Sequence, residues 1–190
     1  MAAETTLRFY DLTQRALHWL MAAIILVAIV PGVIAALLPE EASARHELLL
    51  VHKSLGMTAL ALVIVRAFYR AFVGAPPYGD SIGPLIRAAA RAEQCALYAL
   101  MAALPVSGYL MSTASGHDVS WFGLFPCPAL VAPDKTLAGL SGQTHLWLAW
   151  TIGALLALHL AAAGWHYWVE RDDVFARMWP SPAARRGGRS

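Results

Sequence analysis

Four separate stretches of this chain are apolar for long enough to cross a lipid bilayer, and nothing else in the sequence restricts its fold as strongly. They are residues 16–38, 48–72, 95–113 and 144–169. Hydrocarbon offers no water to backbone N–H and C=O groups, so a spanning segment closes its own hydrogen bonds as an α-helix. At 1.5 Å per residue the first stretch reaches roughly 35 Å, enough to cross the hydrocarbon core with some tilt. Pro31-Gly32 should kink or weaken its outer half. In the second stretch Lys53 and Arg66 bracket a short uncharged centre, residues 54–65. Long basic side chains near helix ends reach the interface, which rescues that span. The third stretch contains Pro105, and the fourth is the most continuous. The first is longer than the apolar part of a secretion signal, and Glu4 and Asp11 stand where a signal is basic, so it reads as a retained helix. The expectation is an all-α, integral membrane four-helix bundle over residues 7–180, with a disordered tail at 181–190.

Composition agrees. Hydrophobic residues make up 58% of the chain and charged residues 14%, against about a quarter charged in soluble domains. This argues against a soluble enzyme, a disordered chain and a nucleic-acid binder, and makes membrane lipid the first partner. Cys95 lies in an apolar run and Cys127 in a loop, which speaks against a disulfide framework. There is no Cys-x-x-Cys-His, so covalent attachment of haem is excluded.

Residues 74–84 are rich in glycine and proline and read as a linker, and residues 115–143 as a long loop. The aromatic residues of that loop, Trp121, Phe122 and Phe125, belong at the membrane interface. If the N-terminus is cytoplasmic, the inner segments hold Arg8, Arg15, Arg66, Arg70, Arg87, Arg91, Arg171, Arg177, Arg185, Arg186 and Arg189. The outer segments then hold only Arg45, Lys53 and Lys135. Basic residues concentrate on the cytoplasmic side of bacterial membrane proteins, so both termini are expected there.

The chemistry lies in the histidines, which are expensive inside a bilayer. His145 and His159 are nearly four helical turns apart on the fourth span, hence on one face and separated by ~21 Å along its axis. His52, near the outer start of the second span, matches the depth of His145. His18, near the inner start of the first, matches His159. The result is two bis-histidine sites, His52–His145 outside and His18–His159 inside, suited to two flat metal cofactors stacked along the membrane normal. Neutral imidazole is a good axial ligand for haem iron. The bland alternative is a set of interfacial histidines that only form hydrogen bonds. Zinc fits poorly, since it needs its ligands to converge on one ion. His166 shares the face of His159 and is a rival inner ligand, and His46 and His117 are expected on the outer surface. Gly153, Ala154, Ala157, Ala161, Ala162, Ala163 and Gly164 keep the fourth span slim, for helix packing or for a macrocycle. Lys53 and Arg66 could neutralise haem propionates or snorkel to lipid phosphate.

Several segments carry a resemblance to a known family. They are Arg15-Ala-Leu-His-Trp-Leu20, Val51-His-Lys-Ser-Leu-Gly56, Ile64-Val-Arg66 followed by Pro76-Pro77, Leu104-Pro-Val-Ser-Gly-Tyr-Leu-Met111 and Leu158-His-Leu-Ala-Ala-Ala-Gly-Trp-His166. The chain resembles the bacterial cytochrome b561 family, four-helix di-haem membrane proteins related to hydrogenase cytochrome b subunits. The resemblance implies two b-type haems, with axial ligands at His18, His52, His145 and His159. Tyr167 stands where many members carry a second histidine, which leans against a ligand role for His166.

The expected function is a di-haem b-type cytochrome of the bacterial inner membrane. It would pass electrons between a periplasmic-side donor, superoxide among the candidates, and the quinone pool, with ubiquinone as a possible ligand. Quinone could dock near Arg15, Arg66 and Arg70, or near Trp121 and Phe122. Two alternatives compete. One is a membrane anchor that relays electrons for a dehydrogenase or hydrogenase-like complex. The other is a non-redox transporter that uses its histidines as a proton relay.

Overall fold

The computed structural model of the protein describes residues 9–78 and 82–179. Arg8, residues 79–81 of the linker and everything from residue 180 lie outside the described residues, including Arg185, Arg186, Arg189 and the tail expected to be disordered. Helices α1 (Leu12–Leu37), α2 (Ser43–Val73), α3 (Pro84–Ala114) and α4 (Lys135–Trp165) follow in order, with strands β1 (Val119–Trp121) and β2 (Phe125–Cys127) between α3 and α4. A single π-helical turn, His166–Glu170, ends α4.

The helices start where side chains satisfy their free N–H groups. Asp11 accepts from the backbone N–H of Gln14 at 2.9 Å, and Asp134 accepts from those of Thr136 and Leu137 at 2.8 and 3.0 Å. The Asp134 cap explains why α4 begins nine residues before its apolar stretch. Pro84 in the first turn of α3, where a missing N–H costs nothing, starts that helix eleven residues before its own. The added turns carry Arg87, Arg91, Glu93 and Gln94, which an apolarity criterion leaves out. Gly74 ends α2 at φ 80°, a conformation that favours glycine, and its N–H reaches Arg70 O at 2.8 Å. Helix α1 runs on through Pro31, and α3 through Pro105.

The four helices are each long and apolar enough to cross a membrane. Their outward faces are greasy: Phe72, Trp147 and Trp150 are 86%, 71% and 72% exposed, which suits lipid and not water. The interior is small, a cluster of Met21, Ala59, Val63, Leu97, Met101 and Ile152. Packing is sequential, α1 on α2, α2 on α3 and α3 on α4. Among the described residues no Cα of α4 comes within 8 Å of α1 or α2, although helices in direct contact have axes only about 8–10 Å apart.

The expected aromatic loop holds an antiparallel hairpin, with Val119 opposite Cys127 and Trp121 opposite Phe125. Ser54 of α2, fully buried, pins it: Ser54 Oγ accepts from the Phe122 N–H at 2.8 Å, and Thr58 Oγ1 accepts from Trp121 Nε1 at 3.0 Å. At the other end residues 177–179 strap the chain after α4 back onto α1. Trp19 Nε1 donates to Met178 O at 2.7 Å and Arg15 to Trp179 O at 3.0 Å. Buried Arg177 donates to Pro76 O at 2.6 Å.

Candidate haem sites

The four histidines singled out in the sequence meet in two pairs. The ring centres of His52 (α2) and His145 (α4) are 6.1 Å apart, and those of His18 (α1) and His159 (α4) are 6.2 Å apart. A metal bonded at about 2 Å to one nitrogen of each of two imidazoles holds the ring centres about 6 Å apart. These side chains span the separation between α4 and the α1–α2 pair.

The hydrogen bonds fix which nitrogen is free. His52 Nδ1 lies 2.8 Å from Ala28 O and His145 Nδ1 2.9 Å from Leu104 O. A carbonyl can only accept, so each Nδ1 carries the hydrogen and each Nε2 keeps its lone pair, as a ligating imidazole requires. Ser107 Oγ lies 3.1 Å from the same His145 nitrogen while donating to Leu104 O at 2.7 Å. Both rings use one device: the carbonyl is four residues before a glycine, and the ring lies over that glycine. A Cβ on Gly32 would stand 2.6 Å from His52 Nδ1, and one on Gly108 2.9 Å from His145 Cε1. Only hydrogen at these positions lets the rings lie against the helix backbones.

The other pair is held by charge. His159 Nδ1 donates to Glu93 Oε1 at 3.0 Å. His18 Nδ1 lies 3.0 Å from Arg66 Nη2. Since guanidinium only donates, this nitrogen accepts, and His18 differs from the other three in its tautomer. Arg66 also lies over the Tyr98 ring, 5.2 Å from its centre. Arg70 donates to Tyr10 Oη at 3.2 Å and to Gln94 Oε1 at 3.1 Å.

The remaining candidates fall elsewhere. His166 Nδ1 pairs with Asp172 Oδ2 at 2.6 Å in the turn after α4. His46 and His117 are exposed. Lys53 is half-buried beside His52, with no hydrogen-bond partner among the described residues. Arg45 caps the end of α1, donating to Ala35 O and Leu38 O at 3.0 and 2.9 Å. The small residues of α4 do not bring it against α1 or α2, and a Cβ on Gly153 would meet nothing within 4 Å. Among the described residues there is no cluster of three or more His, Cys, Asp and Glu side chains that could hold a metal ion.

Sequence reasoning missed Glu93, Ser107, Gly32 and Gly108 as parts of the site. The signal for Glu93 was a carboxylate just ahead of an apolar span. For Ser107 and Gly108 it was their place in the resembling segment 104–111.

Four membrane-crossing helices that bring two imidazole pairs together at different depths define a class, the multi-pass membrane cytochromes. Residues 9–181 match the family described as prokaryotic cytochrome b561, and the chain belongs to that family. It is 36% identical over 180 residues to cytochrome b561 homolog 2 of Escherichia coli K12, covering 94% of this chain and 95% of that one. It is 27% identical over 171 residues to a protein of Yersinia pestis named probable superoxide oxidase CybB, covering 90% and 96%. With cytochrome b561 homolog 1 of E. coli K12 it shares 23% over 171 residues, covering 90% and 97%. The protein is thus a multi-pass electron-transfer protein of the bacterial inner membrane that uses haem b.

Proposed function

We propose that the chain is a di-haem b-type cytochrome that carries electrons between a donor at its His52–His145 end and the quinone pool, ubiquinone being one candidate. His52 and His145 would hold one haem, and His18 and His159 the other. The single observation that carries this reading is the pairing of four imidazoles at two depths, with ring centres 6.1 and 6.2 Å apart. Bound haem would supply a one-electron iron couple, with the histidines holding it. The basic residues favour a cytoplasmic His18–His159 end and cytoplasmic termini.

The chain's own residues divide the remaining work. Ala28 O and Leu104 O orient His52 and His145. If His18 held iron through Nε2, its hydrogen would sit on Nδ1, opposite the Arg66 guanidinium, and Arg66 would then be the cation to pair with a haem propionate.

The test is a reduced-minus-oxidised spectrum of the purified protein together with its haem-to-protein ratio. Two b-type haems per chain are expected. A colourless chain, or one haem per chain, overturns the reading, and a colourless chain favours the histidine proton relay.

The name of the Yersinia relative makes superoxide the candidate donor. Lys53, next to His52 in the sequence and without a hydrogen-bond partner among the described residues, is the cation we assign to attract it, whereas Arg45 is engaged at the end of α1. Glu40, Glu41 and Glu47 oppose that field. Lys53→Ala should slow reduction of the protein by superoxide severalfold, and added salt should slow the unsubstituted protein in the same way. Rates indifferent to both would remove superoxide as the donor.

A further inference from the structure

The two histidine pairs are oriented by different chemistry. At the His52–His145 end every Nδ1 partner is neutral: Ala28 O, Leu104 O and Ser107 Oγ. At the other end His159 Nδ1 donates to a carboxylate, Glu93 Oε1, at 3.0 Å. The Glu93 side chain is 16% exposed, and His159 is the partner that accounts for its place in a membrane-crossing helix, where an unpaired carboxylate is costly.

We propose that Glu93 is a tuning residue, which lowers the reduction potential of the haem held by His18 and His159 by drawing on the Nδ1 hydrogen of His159. The inference rests on the di-haem reading above. A carboxylate that accepts from a ligating imidazole makes the ring more basic and its bond to the metal stronger. The more basic ring favours ferric over ferrous iron, the form with the greater positive charge. A neutral carbonyl does this weakly, so the His52–His145 end lacks the effect. What moves the potential is how much more the bond stabilises the ferric form than the ferrous form, and a tenfold preference corresponds to about 59 mV for one electron.

Glu93→Gln keeps the size of the side chain and an oxygen that can accept, and removes only the charge. The experiment is a potentiometric titration of the purified, haem-loaded protein, followed by optical spectra. In Glu93→Gln one midpoint should rise by about 59 mV, a tenfold shift toward the reduced form, and the other should stay in place. Haem content is measured alongside, so that the midpoints are read only from protein that holds both haems. The haem that moves should be the one retained in His52→Ala, and its low-spin ferric electron paramagnetic resonance signal should move with it, because the axial field weakens. Glu93→Asp keeps the charge on a shorter arm and should give a smaller rise, so it decides the matter should the glutamine variant lose its haem. An unmoved or lowered midpoint overturns the proposal, as does an equal shift of both haems, or loss of haem from both variants. These outcomes are separable from failure of the di-haem reading. That reading falls on the haem content of the unsubstituted protein, whereas two haems with an indifferent midpoint remove only the role of Glu93.

Discussion

Alanine in place of His52 or His145 is expected to leave the purified protein with one haem instead of two, and the survivor should be the haem held by His18 and His159. Alanine at His18 or His159 should give the mirror result. Each substitution would remove one of the two imidazoles proposed to hold a haem and leave the facing one alone across the separation between α4 and the α1–α2 pair. The sites lie ~21 Å apart along α4, far enough for substitutions at one to act independently of the other. Haem content by alkaline pyridine assay, with optical spectra of each variant, checks the result. Variants that lose both haems or neither would show that the pairs are wrongly drawn.

Gly32→Ala and Gly108→Ala should each weaken haem binding at the His52–His145 end by about ten- to a hundredfold, the loss typical when support behind a metal ligand is removed. The added methyl would stand 2.6 Å from the His52 ring or 2.9 Å from the His145 ring. The ring must move, and it then gives up the carbonyl that aims it, at 2.8 or 2.9 Å. Gly139→Ala, in the same helix as His145, is the control, since a methyl there meets nothing within 4 Å. Haem retention during detergent dialysis measures the difference. Full retention in both cradle variants would mean that the rings do not depend on these glycines for their aim.

Much of this architecture was legible in the residues. A bilayer requires long, self-satisfied helices, so apolar length located all four, and helical periodicity put His145 and His159 on one face at two depths. What failed were the helix starts, because Asp134 and Pro84 begin helices in polar sequence that apolarity does not register. The hairpin was also missed. Its strands are three residues each, and its position depends on Ser54, far away in sequence. Glu93 was hidden for a related reason. Its meaning comes from His159 on another helix, and no local pattern carries a contact across 66 residues of sequence. Arg66 was expected to meet haem propionates or lipid phosphate, and its contact with His18 belongs to the tertiary arrangement alone.

The one-sided packing of α4 bears on how such a protein matures. Its backbone leans on α3 and is tied to α1 by residues 177–179, while the flank toward α1 and α2 is bridged by imidazoles. A group bound between the paired rings would therefore complete the packing of α4, and the chain without it would hold that helix less firmly to α1 and α2.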